Sequence, residues 1–138
     1  MATTFSIYNQ THQLLCGELN WMTSTIKCAL LYGGGFSATD TLFADVSYAE
    51  VESGNGYTTG GASLLNKTKT NSKLTADGVS FTALTKSFSF AVLYAEGTID
   101  SIVNPLLAWI EFDDTPNEII VAGDNFNILW NSNGIFTL

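Results

Sequence analysis

Apolar and polar residues alternate along most of the second half of the chain, and that period of two predicts strands. Ser87 to Ala95 sets Phe88, Phe90, Val92 and Tyr94 on one side. After Pro105, placed where a strand can begin, LLAWIEF sets Leu106, Ala108, Ile110 and Phe112 against Leu107, Trp109 and Glu111. Glu118 to Ala122 and Asn125 to Asn131 read as two strands bracketing Gly123-Asp124, with Phe126, Ile128 and Trp130 sharing a face. Turns are expected at Asp113 to Asn117 and at Ser132-Asn133-Gly134, the latter leading into Ile135 to Leu138. Lys73 to Ala76 and Val79 to Leu84 flank Asp77-Gly78, the dipeptide of a two-residue hairpin.

The first half is less regular. Phe5, Tyr8, Leu15 and Leu19 fit one helical face, so a short helix is expected over Thr4 to Cys16, capped by Thr4 and stopped at Gly17. Leu19 to Tyr32 reads as a turn and then a strand, with Ile26, Cys28 and Leu30 opposing Lys27, Ala29 and Leu31. Gly33-Gly34-Gly35 breaks that pattern, and Asp40 is placed to cap one helical turn over Thr41 to Val46. Short strands at close spacing, with no repeat, charged tract or linker, predict one all-β domain over 1-138. The expected architecture is an antiparallel β-sandwich or barrel with a short N-terminal helix.

Composition narrows the function. Thirteen acidic residues oppose five lysines, there is no arginine, and the net charge is −8. Such a chain repels nucleic acid and anionic membrane and lacks the bidentate phosphate clamp, so neither partner is expected. Charged residues are only 13% of the chain, about half the usual share, which suits a surface rich in hydroxyls and amides or one covered by partners. Two cysteines do not make a disulfide scaffold, and Cys28, between Ile26 and Leu30, is expected to be a buried free thiol. No basic, apolar leader opens the chain and no apolar run reaches membrane-spanning length, so synthesis in the cytoplasm is expected.

The glycine-rich stretch EVESGNGYTTGGASLLNKTKT, Glu50 to Thr70, invites a phosphate-binding reading. Gly54, Gly56 and Gly60 give G-x-G-x-x-x-G, one residue longer than the dinucleotide fingerprint, and no G-K-S/T follows. Asn55-Gly56 and Gly60-Gly61 instead suit tight turns that need positive φ, leaving Asn55 and Tyr57 at a corner of the domain. His12 alone cannot build a multi-histidine zinc site, and no G-x-S-x-G elbow accompanies it. Asp113, Asp114, Glu118, Asp124 and Asn125 could offer oxygen ligands, yet lack calcium-loop spacing and read as acidic turns. No catalytic residue, metal or cofactor is therefore assigned. Trp130 shares its parity with Phe126 and Ile128 and is expected in the core, whereas Trp109 on the opposite parity is the expected surface aromatic. Phe36, Phe43, Tyr48 and Tyr57 lie in irregular segments, where aromatics either plug the ends of a sandwich or anchor a protein partner. Phe36, Phe43, Tyr48, Asn55, Tyr57 and Trp109 are thus the candidate protein-interface residues.

Four stretches, LNWMTSTIKCALLY, TLFADVSYAEVESGNGYTTGGASLLNKT, FSFAVLYAEG and NFNILWNSNGIFTL, occur in this order between Leu19 and Leu138. Together they resemble small virion proteins of tailed bacteriophages, of the capsid decoration or cement type. Met22, Ser24 and the triple glycine at Gly33 depart from that pattern. The resemblance implies a non-enzymatic protein on the outer capsid surface, made in the cytoplasm of the infected bacterium. Its implied partners are the major capsid protein and two further copies of itself in a homotrimer. The rival readings are another virion component (a tail, neck or fibre-associated module) and a carbohydrate-binding β-sandwich using Trp109 or Tyr57 as a stacking platform.

Overall fold

The computed structural model describes residues 3–33, 36–112, 119–130 and 134–137. The fold is all-β and sandwich-like, with one short helix and several antiparallel sheets. In chain order it comprises β1 (Thr3–Ile7), α1 (Thr11–Cys16), β2 (Ile26–Leu31), 3-10 turns at Phe43–Asp45 and Ser47–Ala49, β3 (Ala62–Ser63), β4 (Thr68–Thr70) and β5 (Lys73–Thr75). It continues through β6 (Val79–Phe88), β7 (Phe90–Ala95), β8 (Thr98–Ile99), β9 (Ile102–Val103), β10 (Leu106–Phe112), β11 (Ile119–Ile128) and β12 (Phe136–Thr137).

A five-stranded antiparallel sheet, ordered β1-β10-β7-β2-β3, forms the middle layer, and both of its faces are covered. Strand alternation sends Ile26, Cys28 and Leu30 of β2 and Ala91, Leu93 and Ala95 of β7 to one face. There they meet Val79, Phe81, Leu84, Phe88 and Ile128 of the β6–β11 ribbon and Leu74 and Phe136 of the β12-β5-β4 sheet. Phe88, Phe112 and Phe126 interlock edge to face, with centroids 4.8 to 5.8 Å apart. The opposite parity, Ala29, Leu31, Val92 and Tyr94, packs under Tyr8, Phe43, Val46 and Ala49.

Several sequence expectations are corrected here. Residues Thr3–Ile7 form an edge strand, not the start of a helix: Thr3 to Ile7 pair with Phe112 to Ala108. The helix begins only at Thr11, and Gly17 does end it, its N–H donating to the Leu14 carbonyl. Its apolar contribution is Leu14 and Leu15, and the buried Thr11 hydroxyl donates to the Leu107 carbonyl at 2.6 Å. The Ser87 to Ala95 run is divided at Ser89. Phe88 closes β6 in one layer, and Phe90 opens β7 in the middle sheet and points to its other face.

Asp77-Gly78 does not make a hairpin. β5 pairs with β4 and β12, while β6 pairs with β11. Gly78 suits its place because a Cβ would stand 2.8 Å from Leu129 Cδ2 and 3.0 Å from the Ile128 carbonyl oxygen. A two-residue hairpin of the φ-positive kind joins β8 to β9 instead, through Asp100 (φ 51) and Ser101 (φ 63). The two strands expected around Gly123-Asp124 are one strand, β11, carried past that dipeptide by register shifts between Ala122, Asp124 and Phe126. The expected turns at Asp113 to Asn117 and Ser132-Asn133 lie outside the described residues, as do Gly34 and Gly35.

Candidate interaction surface

The Glu50–Thr70 stretch folds into a corner held by one carboxylate and two tyrosines. Gly54 and Tyr57 exchange backbone hydrogen bonds at 2.7 and 3.1 Å across Asn55 (φ 52) and Gly56 (φ 92), the geometry of a type I′ turn. The Glu50 carboxylate accepts from the Tyr57 hydroxyl and from the Gly60 N–H, both at 2.6 Å on the same oxygen. The Tyr57 hydroxyl in turn accepts from the Leu30 N–H at 3.2 Å, and the Tyr94 hydroxyl donates to the Gly60 carbonyl at 2.6 Å. The loop is thereby tied to both β2 and β7. Gly61 lies so close to β2 that a Cβ would come within 2.0 Å of the Cys28 carbonyl oxygen, an approach only glycine permits.

The corner is structural, and its two tyrosine hydroxyls are held in the protonated form. Burial, reinforced by the Glu50 hydrogen bond, pushes the Tyr57 hydroxyl far above its ordinary value. Burial does the same to Tyr94, with Glu50 and Glu96 adding to it, and to Tyr8, with Asp40 and Asp45 adding to it. Cys28 is a buried free thiol, and burial pushes it up to about 12.

The six sequence candidates separate sharply. Tyr57 is 2% exposed, so it anchors the corner within its own chain and is not displayed there. Trp109 is 1% exposed, a correction to its expected surface position. A register shift between Leu106 and Ala108 turns Leu107 to one core, and Trp109 faces the second core beside Phe90, at 4.8 Å between centroids. Neither ring offers the stacking face that the carbohydrate reading requires. Phe43 is buried flat against Tyr94, with centroids 4.0 Å apart and planes 8° from parallel. Phe36 is half-covered by Tyr8, 5.1 Å away. Asn55 and Tyr48 are exposed, and Tyr48 is the most open of the aromatic candidates. The structure therefore stacks Phe43 on Tyr94 and gathers Phe36 and Trp109 around Tyr8 and Phe90, while Tyr48 stands out on its own.

Tyr48 is nevertheless held firmly. The Asp45 carboxylate accepts from the N–H groups of Thr41 and Leu42, both at 3.1 Å, and so fixes the first 3-10 turn. Asp45 thus performs the capping expected of Asp40. Phe43, Val46 and Ala49 bury their side chains on either side of it, and Tyr48 points outward.

The sequence reading missed a second exposed feature. Leu65 and Leu129 are 65% and 82% exposed, and each adjoins the Asp77-Gly78 dipeptide. The Asp77 N–H donates to the Leu65 carbonyl at 2.9 Å, the Trp130 indole N–H donates to the Asp77 carbonyl at 3.0 Å, and Leu129 lies over Gly78. Strand parity contained the signal, since placing Ile128 inward puts Leu129 outward. Trp130 packs against the core as expected.

Chemically reactive groups are dispersed. His12 is exposed on α1, with Nε2 3.3 Å from the Thr137 carbonyl oxygen, and the Asn125 side-chain oxygen accepts from the Ala83 N–H. Among the described residues no three of His, Cys, Asp and Glu gather as metal ligands, and no helix is long and apolar enough to cross a membrane. The fold and surface define a sandwich-like all-β domain whose exposed large apolar side chains include Tyr48, Leu65 and Leu129. No protein-family model matches the chain, and neither a curated protein nor a solved structure matches it.

Proposed function

We propose that this chain is a non-enzymatic structural protein of a tailed-phage particle, a decoration protein that binds the outer face of the capsid shell and stabilises it. The observation that carries the reading is the exposure of two large apolar side chains, Leu65 and Leu129, on segments that both adjoin Asp77-Gly78. Leu65 belongs to the stretch TLFADVSYAEVESGNGYTTGGASLLNKT and Leu129 to NFNILWNSNGIFTL, two of the four stretches on which the phage resemblance rests. These stretches are far apart in sequence, yet the Leu65 backbone bonds to Asp77 and the Leu129 side chain lies over Gly78. Exposed large apolar side chains, where they form a contiguous patch, mark protein contact. A surface low in charge also suits extensive packed interfaces, whose centres are depleted of charged residues. Many copies bound around a shell add their weak contacts by multivalency.

The test is to strip the protein from particles, add it back and heat them. Particles carrying the chain should retain DNA to a higher temperature than stripped ones. A Leu65→Ser, Leu129→Ser double variant should fold normally and fail to rebind. Equal heat resistance of stripped and restored particles would defeat the proposal, and a copy number of a dozen or fewer per particle would favour a tail or neck position.

A further inference from the structure

A free sheet edge can take up a strand from another chain, and folded proteins blunt such edges with short length, charge, bulges or covering loops. Most edges here are blunted in those ways. β3, at one end of the five-stranded sheet, and β12, at one end of the three-stranded sheet, have two residues each. β4 carries Lys69, and the pairing of β11 is broken by the register shifts around Asp124. β6 carries Lys86 and is met by the glycine-rich corner, where the Thr85 N–H donates to the Asn55 carbonyl at 2.8 Å. β1, at the other end of the five-stranded sheet, has none of these devices. Its five residues, TTFSI, include no charge and no proline, and they pair with β10 without a register shift.

The hydrogen bonds show which backbone groups of β1 face outward. The Tyr8 N–H donates to the Leu107 carbonyl at 3.2 Å, whereas the Phe112 N–H points away from β1, to the Ser89 carbonyl at 3.4 Å. Backbone groups alternate sides along a strand, so Thr4 and Ser6 face β10 while Thr3, Phe5 and Ile7 face outward. Asn9 continues the outward series, and its N–H donates to the Ala38 carbonyl at 3.0 Å. Among the described residues, no backbone group pairs with the edge at Phe5 or Ile7. The side chains leave the way open: Thr4 is exposed, and Phe5 is 38% exposed while leaning on Phe136, with centroids 5.9 Å apart.

We infer that β1 takes up an extended segment of the capsid shell protein, which joins the middle sheet as a further strand. The partner's backbone meets the outward N–H and C=O groups of Phe5 and Ile7, so main-chain bonding supplies the affinity. Side chains decide which segment fits: an apolar residue beside Phe5, and small polar ones beside Thr4 and Ser6. Charge disfavours a second copy as the occupant, since two chains of net charge −8 repel and TTFSI has no lysine to offset it. The complementary segment is therefore neutral or basic. The identity of the partner rests on the phage reading, while the open edge belongs to the chain itself.

Cys16 lets the full chain be assembled by native chemical ligation, from a synthetic thioester of residues 1–15 and a recombinant fragment of residues 16–138. Methylating the Phe5 amide nitrogen then blocks the outer edge and changes no side chain. This chain should keep the urea midpoint of the unmodified one and rebind stripped particles at least ~10-fold more weakly. Methylating the Ser6 amide instead removes a bond to β10 and should lower the midpoint. In the unmodified chain, hydrogen exchange at Phe5 and Ile7 should be faster than at Thr4 and Ser6, and should slow once the chain sits on the particle. Normal rebinding of the Phe5-methylated chain, or Phe5 and Ile7 amides that stay fast on the particle, would overturn this inference alone. So would protection of those amides that rises with the concentration of the purified chain, the sign of a second copy at the edge. An unmodified chain that does not rebind would defeat the phage reading and this inference with it.

Discussion

The Tyr57 hydroxyl donates to Glu50 at 2.6 Å while accepting the Leu30 N–H, so one side chain closes the glycine-rich corner onto a central strand. Tyr57→Phe should therefore strand a buried N–H and remove a donor from the carboxylate, costing about 1–3 kcal/mol in urea unfolding. Tyr8 provides the contrast: it is equally buried, but its hydroxyl has no hydrogen-bond partner among the described residues. Tyr8→Phe should leave stability within about 0.5 kcal/mol or raise it.

Gly61→Ala should be among the most damaging single substitutions, at more than about 3 kcal/mol, because the new Cβ meets the backbone of Cys28 and Ala29. Gly54 also has positive φ, but among the described residues nothing lies within 4 Å of a Cβ built there. Gly54→Ala should cost only the conformational strain, about 1–2 kcal/mol. Comparing the two by thermal or urea unfolding separates close approach from backbone strain.

Trp109→Ala should cost about 3–5 kcal/mol, the range for truncating a buried aromatic. A loss under about 0.5 kcal/mol, typical of a surface substitution, would contradict the burial described above.

Removing the carboxylate that caps the first 3-10 turn, Asp45→Ala, should lower stability by about 1 kcal/mol. Asp40→Ala, at the position the sequence suggested, should cost less. Paired unfolding curves decide between them.

Alkaline stability follows from the buried hydroxyls and the buried thiol. Tyr8, Tyr57 and Tyr94 all have folded-state values raised above 10.0, and Cys28 is raised from 9.0 to about 12. Each group thus favours the folded state fully below its unfolded value. The contribution is lost at about 1.4 kcal/mol per pH unit per group as pH rises toward the folded value. Stability should fall from about pH 9 and steepen above pH 10. Cys28→Ala should move the onset up toward pH 10, measured by urea midpoints across that range.

Much of the strand pattern was legible because alternation reports which residues share a face. Ile26, Cys28 and Leu30 do face one core together, as do Phe126, Ile128 and Trp130. Alternation does not report whether the opposite face meets water. The middle sheet is covered on both sides, so the parity that set Trp109 apart from Ile110 led to a second core and not to the surface. Nor does it reveal a change of layer at Ser89, where the period of two runs on while the strand enters another sheet. Thr3–Ile7 was misread because a short segment with few apolar residues fits a helical face by chance, and its strand exists through pairing with β10. Of the site, turn chemistry at Asn55-Gly56 was readable from local rules. The burial of Tyr57 and the approach of Leu65 and Leu129 to Asp77-Gly78 depend on contacts across the chain, which local pattern does not encode.

The pairing of distant segments has a consequence for how the protein is made. Thr3 pairs with Phe112, Leu74 with Phe136 and Phe88 with Ile119. A topology dominated by such non-local pairs folds slowly, on the millisecond-to-second scale. During synthesis β1 has no partner until Leu106–Phe112 has emerged from the ribosome, and until then the apolar strand Phe90–Ala95 has one edge open. The nascent chain is consequently most prone to clump just before β10 arrives, and refolding yield should depend steeply on dilution.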